Sequence, residues 1–229
     1  MQAVMETIFD IVYLCFAIGT GLIMITKGKS QLIRQAGWMT FFLGAGDSFH
    51  LVPRVYSLWS GGLESHAAAL GVGKFVTSIT MTIFYVILYA IWKEYFHVGD
   101  TVQLGGKRLK TQTLTWTMWG LAIIRIVLCL FPQNEWLVYK QPLSWGIIRN
   151  IPFALMGVLI IWLFAEKNKE VPNSPFHWLP LAVTLSFAFY LLVVLFANTW
   201  PLMGMLMIPK TLCYVWIICM FWKLYRQEQ

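Results

Sequence analysis

Three ionisable residues of one apolar stretch have the spacing with the most chemical meaning in this chain. Asp47, His50 and Arg54 lie within Gly-Ala-Gly-Asp-Ser-Phe-His-Leu-Val-Pro-Arg, three and four residues apart. On an α-helix that spacing places the three side chains on one face. Pro53 has no N–H and crowds the carbonyl of Phe49, which predicts a kink beside them. A carboxylate, an imidazole and a guanidinium together can bind an anion, relay a proton or form internal ion pairs.

Further charged residues lie in other apolar stretches, where each one costs roughly 2.5–3.5 kcal/mol to insert into a membrane. They are the bases Lys74, Arg125, Arg149 and Lys210 and the acids Glu6 and Asp10. With the second stretch included, five bases stand against three acids, so two bases have no acid to pair with. This excess favours a pocket for an anionic group such as a carboxylate, a phosphate or a lipid headgroup.

The leading hypothesis is an integral membrane protein with an outward-facing, net-positive pocket that binds a small anionic or lipid-derived ligand. Such a protein would be receptor-like or would transport the ligand. The expected ligand-binding residues are Asp10, Asp47, His50, Arg54, Lys74, Arg125, Arg149 and Lys210. A structural hypothesis stays open beside it, in which the charges pair internally and only fix helix packing. Asp47 would then pair with Arg54 or Lys210, and Lys74 and Arg149 would direct their charged ends to headgroups.

A further alternative is an intramembrane lipid hydrolase or transferase, with His50 as the base and Asp47 orienting its ring. A hydroxyl such as that of Ser78 or Thr77 would have to lie opposite His50. Hydroxyls on helices more often bond to carbonyls of their own helix. No catalytic residue is therefore assigned, and a protein that is not an enzyme is favoured.

Neither a metal nor another cofactor is predicted. Asp47 and His50 fall short of the three protein ligands that catalytic zinc usually has. The last span also lacks the histidine pair that the seven-span superfamily of alkaline ceramidases and adiponectin receptors requires. Lys210 is similar in place to the retinal-binding lysine of rhodopsins, but the third span has no acid within the membrane to serve as its counter-ion.

The elements that must position these residues are membrane helices. Of the 229 residues, 59% are hydrophobic and 12% are charged, about half the charged fraction of a soluble protein. A helix crosses a bilayer with about 20 apolar residues. Seven apolar stretches near that length predict an all-α, polytopic seven-transmembrane helix bundle that forms one domain over residues 1–229. The predicted spans are 4–26, 37–60, 69–92, 112–131, 146–165, 178–197 and 200–225.

Basic residues indicate how the spans are oriented. They are concentrated after the first, third, fifth and seventh spans, which puts the N-terminus outside and the C-terminus in the cytoplasm. In that orientation the ionisable residues of six segments fall in one layer of the outer half, several of them roughly 9–15 Å below the surface. The loops and tails also carry most of the net charge of +7, so membrane lipid and a small ligand are the expected partners and nucleic acid is not.

Four segments resemble a known group of proteins. They are Gly-Asp-Ser-Phe-His-Leu-Val-Pro-Arg at 46–54, Thr-Ser-Ile-Thr-Met-Thr-Ile-Phe-Tyr at 77–85, Trp-Gly-Ile-Ile-Arg-Asn-Ile-Pro-Phe at 145–153 and Met-Ile-Pro-Lys-Thr at 207–211. Over most of its length the chain is similar to small seven-span proteins of Gram-positive bacteria. The resemblance implies a multi-pass protein of a bacterial plasma membrane. It implies no activity, because the group brings none with it.

Overall fold

The computed structural model describes residues 2–196 and 199–229, which form a bundle of long α-helices. The helices are α1 (Gln2–Lys27), α2 (Gln31–Trp59), α3 (Ala67–Tyr95), α4 (Thr111–Leu130), α5 (Leu143–Glu170), α6 (Leu179–Phe196) and α7 (Met207–Glu228). Six of them, all but α2, are long and apolar enough to cross a membrane. The predictions of a predominantly helical fold and of membrane-capable helices are thereby confirmed.

Helix α2 falls short of the apolar character of a membrane span because the polar residues of the second stretch lie in it. It begins after Ser30, whose hydroxyl oxygen accepts a hydrogen bond from the N–H of Ile33 (3.2 Å). This is the usual N-cap arrangement. The helix then runs without interruption through Pro53 to Trp59. It lies between α1 and α3, which are its two most extensive neighbours.

Glycines allow α2 to approach both neighbours closely. A Cβ added at Gly37 of α2 would lie 2.7 Å from the backbone nitrogen of Ile25 in α1. A Cβ added at Gly73 of α3 would lie 2.6 Å from the Cα of His50. Both distances are too short for a real contact, so glycine permits the spacing, as small residues do between membrane helices. The contact at Gly73 also fixes the start of α3 against His50.

The connection between α3 and α4 contains a β-hairpin, which the all-α prediction did not include. Strands β1 (Thr101–Leu104) and β2 (Lys107–Lys110) pair antiparallel, with Leu104 opposite Lys107. Gly105 and Gly106 form the turn with φ of 56° and 77°. A two-residue hairpin turn needs such positive φ values, which glycine adopts without strain. The Gly-Gly pair was therefore the overlooked signal. We call this end of the bundle the hairpin end.

An aromatic cluster fills the bundle at the hairpin end. Its members are the fully buried Trp92, Phe164, Phe176 and Phe221. Phe176, in the connection before α6, has its ring centroid 4.7 Å from that of Phe221 and 5.9 Å from that of Phe164. Trp92 donates its indole N–H to the carbonyl of Leu163 (3.2 Å). The cluster thus joins α3, α5 and α7 to the connection that leads into α6.

The sixth and seventh predicted spans meet close to residues that the structure leaves undescribed. Helix α6 ends at Phe196, so the predicted end at Ala197 and the predicted break at Asn198 lie outside the described residues. A 3-10 helix over Pro201–Leu206 then precedes α7. The seventh predicted span, 200–225, therefore starts seven residues before the α-helix begins at Met207. Its first part is helical, but with 3-10 geometry.

Candidate functional site

A cavity of about 280 Å³ lies between α2, α3, α4, α5, α6 and α7. Its lining includes His50 and five bases, which are Arg54, Lys74, Arg125, Arg149 and Lys210. No Asp or Glu is among the described residues that line it. We call it the basic cavity. The structure thus places six of the eight residues predicted to bind ligand around one space, and their binding role stays a prediction.

The basic cavity lies at the end of the bundle opposite the hairpin. Its lining residues are near the ends of α2, α4 and α6 and near the starts of α3, α5 and α7. Successive helices run in opposite directions, so these positions are level with one another although they are far apart in sequence. This alternation explains how bases from five helices can meet without any local sequence motif.

Arg125 of α4 is buried, with only 2% of its surface exposed. Its guanidinium carbon lies 3.5 Å from the ring centroid of Phe153, so the planar group stacks on the aromatic face. Within the described part of the chain, its Nε and Nη1 atoms have no hydrogen-bond partner. A buried charged group without hydrogen bonds is costly. Arg125 also lines the basic cavity, so an anion there would lie beside a charge that no described acid pairs with.

Arg149 of α5 is held by neutral groups. Its Nη1 donates to Oδ1 of Asn134 (2.9 Å) and its Nη2 donates to Oε1 of Gln141 (3.2 Å). Its guanidinium carbon lies 4.2 Å from the ring centroid of Trp136. Asn134 is oriented by its own Nδ2, which donates to the carbonyl of Leu128 (2.7 Å). These contacts position the guanidinium and leave its positive charge uncompensated. Sequence reasoning missed all three partners because they lie in the α4–α5 connection.

Lys210 lies in the first turn of α7 and is 7% exposed. Its ammonium is 5.2 Å from the ring centroid of Tyr190 and 5.5 Å from that of Tyr214. Tyr190 is in turn anchored, because its hydroxyl donates to Oδ1 of Asn150 (3.1 Å). Asn150 donates to the carbonyl of Gly146 (2.7 Å). Two aromatic faces thus hold the ammonium beside the cavity.

The acids of α1 and α2 make contacts that the sequence did not indicate. Arg54 pairs with Glu6, with Nη2 and Oε2 2.9 Å apart, instead of with Asp47. Asp47 accepts a hydrogen bond from the hydroxyl of Tyr13 (2.7 Å). The register of two antiparallel helices explains both contacts. Glu6 and Tyr13 are two turns apart on α1, as Asp47 and Arg54 are on α2.

A smaller side pocket of about 70 Å³ adjoins the basic cavity and is lined by Glu6, Asp10 and Asp47. The two spaces share several lining residues, which are His50, Arg54, Thr77, Gly204, Met207 and Lys210. Asp10 and Asp47, both predicted to bind ligand, therefore lie in the side pocket instead of the basic cavity. Asp10 lies there because α1 packs against α2 and α7. Asp47 of α2 lies there because it faces α1, where it accepts the hydrogen bond from Tyr13.

The geometry offers little to the hydrolase alternative. The hydroxyl of Ser78 donates to the carbonyl of Lys74 (2.8 Å), and that of Thr77 donates to the carbonyl of Gly46 (3.0 Å). The Nδ1 atom of His50 has no hydrogen-bond partner among the residues with described positions. The hydroxyls proposed as nucleophiles thus bond to backbone carbonyls, and His50 does not activate them in this arrangement. Among the described residues, no three His, Cys, Asp or Glu are grouped to hold a metal.

No protein-family model matches the chain, and no curated protein is significantly similar to it. Fold and site together define its class as an all-α protein with membrane-capable helices and a basic cavity at one end. Its function has to be argued from the chemistry of that cavity.

Proposed function

We propose that the chain is a seven-span protein of a bacterial plasma membrane that binds a small anionic or lipid-derived ligand in the basic cavity. The N-terminus is outside and the C-terminus is cytoplasmic in this proposal, as the distribution of bases favours. Helix α2 also crosses the membrane in this proposal, and together with the six membrane-capable helices it makes seven spans. Its polar residues Asp47, His50 and Arg54 line the two internal spaces, so they lower its hydropathy without contacting lipid. The basic cavity then faces the outside.

One observation supports the binding role above the others. Five bases and His50 line a cavity whose described lining contains no acid. Of the five, Arg54 alone forms a salt bridge within the described residues. Structural charge pairs would place an acid beside each buried base, because an unpaired charge in a membrane protein is expensive. The arrangement therefore supports a site that an anion completes.

The size of the basic cavity limits the ligand. About 280 Å³ lies just below the usual range of roughly 300–1,000 Å³ for small-molecule sites. It corresponds to about nine water molecules at about 30 Å³ each. A carboxylate, a phosphate compound or a lipid headgroup fits that space, whereas a large cofactor does not.

The hairpin end favours a receptor-like role over transport. The aromatic cluster of Trp92, Phe164, Phe176 and Phe221 is fully buried there. A transported ligand would have to pass these side chains, and so the helices would have to separate. Binding from the outside needs no such opening. We therefore favour a receptor-like role over a transporter.

Anion binding can be tested with the purified protein in nanodiscs of phosphatidylcholine. Titration calorimetry with inorganic phosphate and with butyrate measures binding to the wild type, Arg125→Met and Lys107→Met. The last variant is a matched control, because it removes one positive charge from the exposed start of β2. We expect Lys107→Met to bind like the wild type and Arg125→Met to bind about tenfold or more weakly, as loss of a charge-assisted hydrogen bond implies.

Two results would contradict the proposal. One is the failure of every protein, the wild type included, to bind either anion. The other is equal affinity of the wild type and a folded Arg125→Met protein. Size-exclusion chromatography of each variant establishes that it is folded before binding is measured.

A further inference from the structure

We infer that the group bound in the basic cavity is a phosphate monoester that carries an apolar substituent. This inference rests on the proposed anion-binding function and deepens it by naming the ligand class. It draws on the balance of charge around the cavity, on the unpartnered edge of Arg125 and on the apolar part of the lining.

The charge balance calls for a dianion. Five bases line the basic cavity and three acids line the adjoining side pocket, which is a formal excess of two positive charges over the two spaces. Two of the bases, Arg125 and Lys210, are buried, whereas Lys74 is exposed. A phosphate monoester carries about −1.5 to −2 at pH 7. A carboxylate or a phosphate diester carries one negative charge and would leave part of the excess unbalanced. In surroundings of low dielectric constant that remainder is costly.

The same arrangement disfavours a zwitterion. An ammonium group on the ligand would have to reach the acids of the side pocket. Arg54 and Lys210 line both spaces, and like charges repel an ammonium that passes between them. Glu6 already pairs with Arg54, and Asp47 accepts a hydrogen bond from Tyr13. A purely anionic ligand avoids this repulsion.

The free edge of Arg125 suits a phosphate. Its Nε and Nη1 are buried and have no partner in the described structure. Each of them forms a two-donor edge with Nη2, and such a fork can bind two oxygens of one anion at once. Stacking on Phe153 fixes the plane of the guanidinium. Arg149 and Lys210 offer positive charge from two other helices around the same cavity. A tetrahedral group with three charged oxygens can meet donors from several directions, whereas a planar carboxylate has two oxygens.

The remaining lining calls for an apolar substituent on the phosphate. Side chains without charge or hydrogen-bonding groups make up much of the wall, namely Met81, Leu143, Phe153, Val193, Val194 and Met207. A bare phosphate would leave these side chains facing water or a void. A short hydrocarbon part removes that apolar surface from water, which is favourable in proportion to its area. The phosphate can belong to a soluble compound or to a membrane lipid.

The test compares ligands of matched size in phosphatidylcholine nanodiscs. Calorimetry measures binding of butyl phosphate, dibutyl phosphate, hexanoate and inorganic phosphate. We expect butyl phosphate to bind about tenfold or more tightly than the diester or the carboxylate, since it alone offers a second charge together with an apolar part. It should also bind more tightly than inorganic phosphate. Equal or tighter binding of dibutyl phosphate or hexanoate would overturn the inference and leave anion binding intact.

A second experiment, with nanodiscs of different lipid composition, identifies whether the phosphate belongs to a lipid or to a soluble compound. Nanodiscs with phosphatidic acid, a lipid monoester, are compared with nanodiscs that contain phosphatidylglycerol, a lipid diester. Native mass spectrometry then counts the lipid retained on the protein. Selective retention of phosphatidic acid, with loss of butyl phosphate binding, indicates a membrane lipid. Butyl phosphate binding that is unaffected by either lipid indicates a soluble monoester. Preferential retention of phosphatidylglycerol would contradict the inference.

A conservative variant of Arg125 tests whether the preference for a phosphate depends on the positive charge alone or on the two-donor edge of the guanidinium. Arg125→Lys keeps the positive charge and loses the bidentate edge. We expect the preference for butyl phosphate over hexanoate to fall about tenfold while hexanoate affinity changes little. If Arg125→Lys does not fold, Arg149→Lys provides the same comparison at the second guanidinium. An unchanged preference in a folded variant would refute the role of the fork. Lys107→Met serves again as the control.

Discussion

At the hairpin end the axis of the bundle is filled by the aromatic cluster, and charged residues lie near the ends of helices in short pairs. Lys167 and Glu170 are 2.6 Å apart, as are Lys169 and Glu166. At the cavity end Glu6, Asp10, Arg125 and Lys210 are buried inside the bundle, and the guanidinium of Arg125 has no acid partner among the described residues. One end is packed as a core, and the other leaves charge and space inside the bundle.

The two ends therefore contribute different properties, stability at the hairpin end and ligand binding at the cavity end. Buried aromatic residues stabilise a fold through packing contacts, whereas unpaired buried bases destabilise it unless a ligand balances them. Natural proteins retain such costly features at sites where they are used. Mutations in the aromatic cluster should therefore lower stability and leave binding unchanged, whereas removal of an unpaired buried base should raise stability and weaken binding.

The largest expected effect is a loss of stability at the hairpin end. Phe176→Ala removes a fully buried ring that contacts Phe164 and Phe221, and it should lower the free energy of unfolding by about 3–5 kcal/mol. Anion affinity of the folded protein should not change. Equilibrium unfolding in mixed micelles measures the first quantity. The control Trp116→Ala removes a ring that is 69% exposed and should cost little, because lipid solvates that face.

A smaller loss is expected where α3 approaches α2. Gly73→Ala places a methyl group 2.6 Å from the Cα of His50. Because backbone atoms cannot move aside easily, we expect a cost of about 1–3 kcal/mol together with weaker anion binding. Gly120→Ala in α4 has nothing within 4 Å of the added methyl and should be neutral or slightly stabilising. Equal melting temperatures of the two variants would argue against close packing at Gly73.

At the cavity end a mutation should increase stability. Arg125→Met replaces a buried, unpaired charge by an apolar group of similar length, and we expect the free energy of unfolding without ligand to rise by about 1–2 kcal/mol. Unfolding in mixed micelles without added anion measures this change. Arg149→Met is the contrasting variant, since it breaks the bonds to Asn134 and Gln141 and should destabilise. Marked destabilisation by Arg125→Met would favour the structural hypothesis for the charges.

The smallest effect is expected for the charge pairs at the hairpin end. Lys167→Ala removes a pair between residues three apart on α5, and such a pair contributes about 0.5 kcal/mol or less. Neither the melting temperature nor anion affinity should change measurably. A loss above 1 kcal/mol by thermal unfolding would mean that the hairpin end depends on its charges as well as on its aromatic cluster.

Much of the candidate site could be predicted from residue types alone. Bases inside apolar stretches are rare, so Arg125 and Lys210 were recognisable without a structure. The groups around them were not. Asn134 and Gln141 lie in a connection with no periodic pattern, and Phe153 resembles any other apolar residue of α5. What marks these three residues is their position beside a guanidinium, which depends on how distant helices pack.

The sequence by itself determined the predominantly helical class, the membrane-capable helices and the surplus of bases over acids within the apolar stretches. Hydropathy and charge are properties of the residues themselves, so they can be read without knowing the packing. Only the tertiary structure decided that the acids lie in a side pocket while the bases surround a cavity. Antiparallel register paired Glu6 with Arg54 and Tyr13 with Asp47, and close packing at glycines fixed that register. Contacts between helices depend on three-dimensional spacing, which no single apolar stretch encodes.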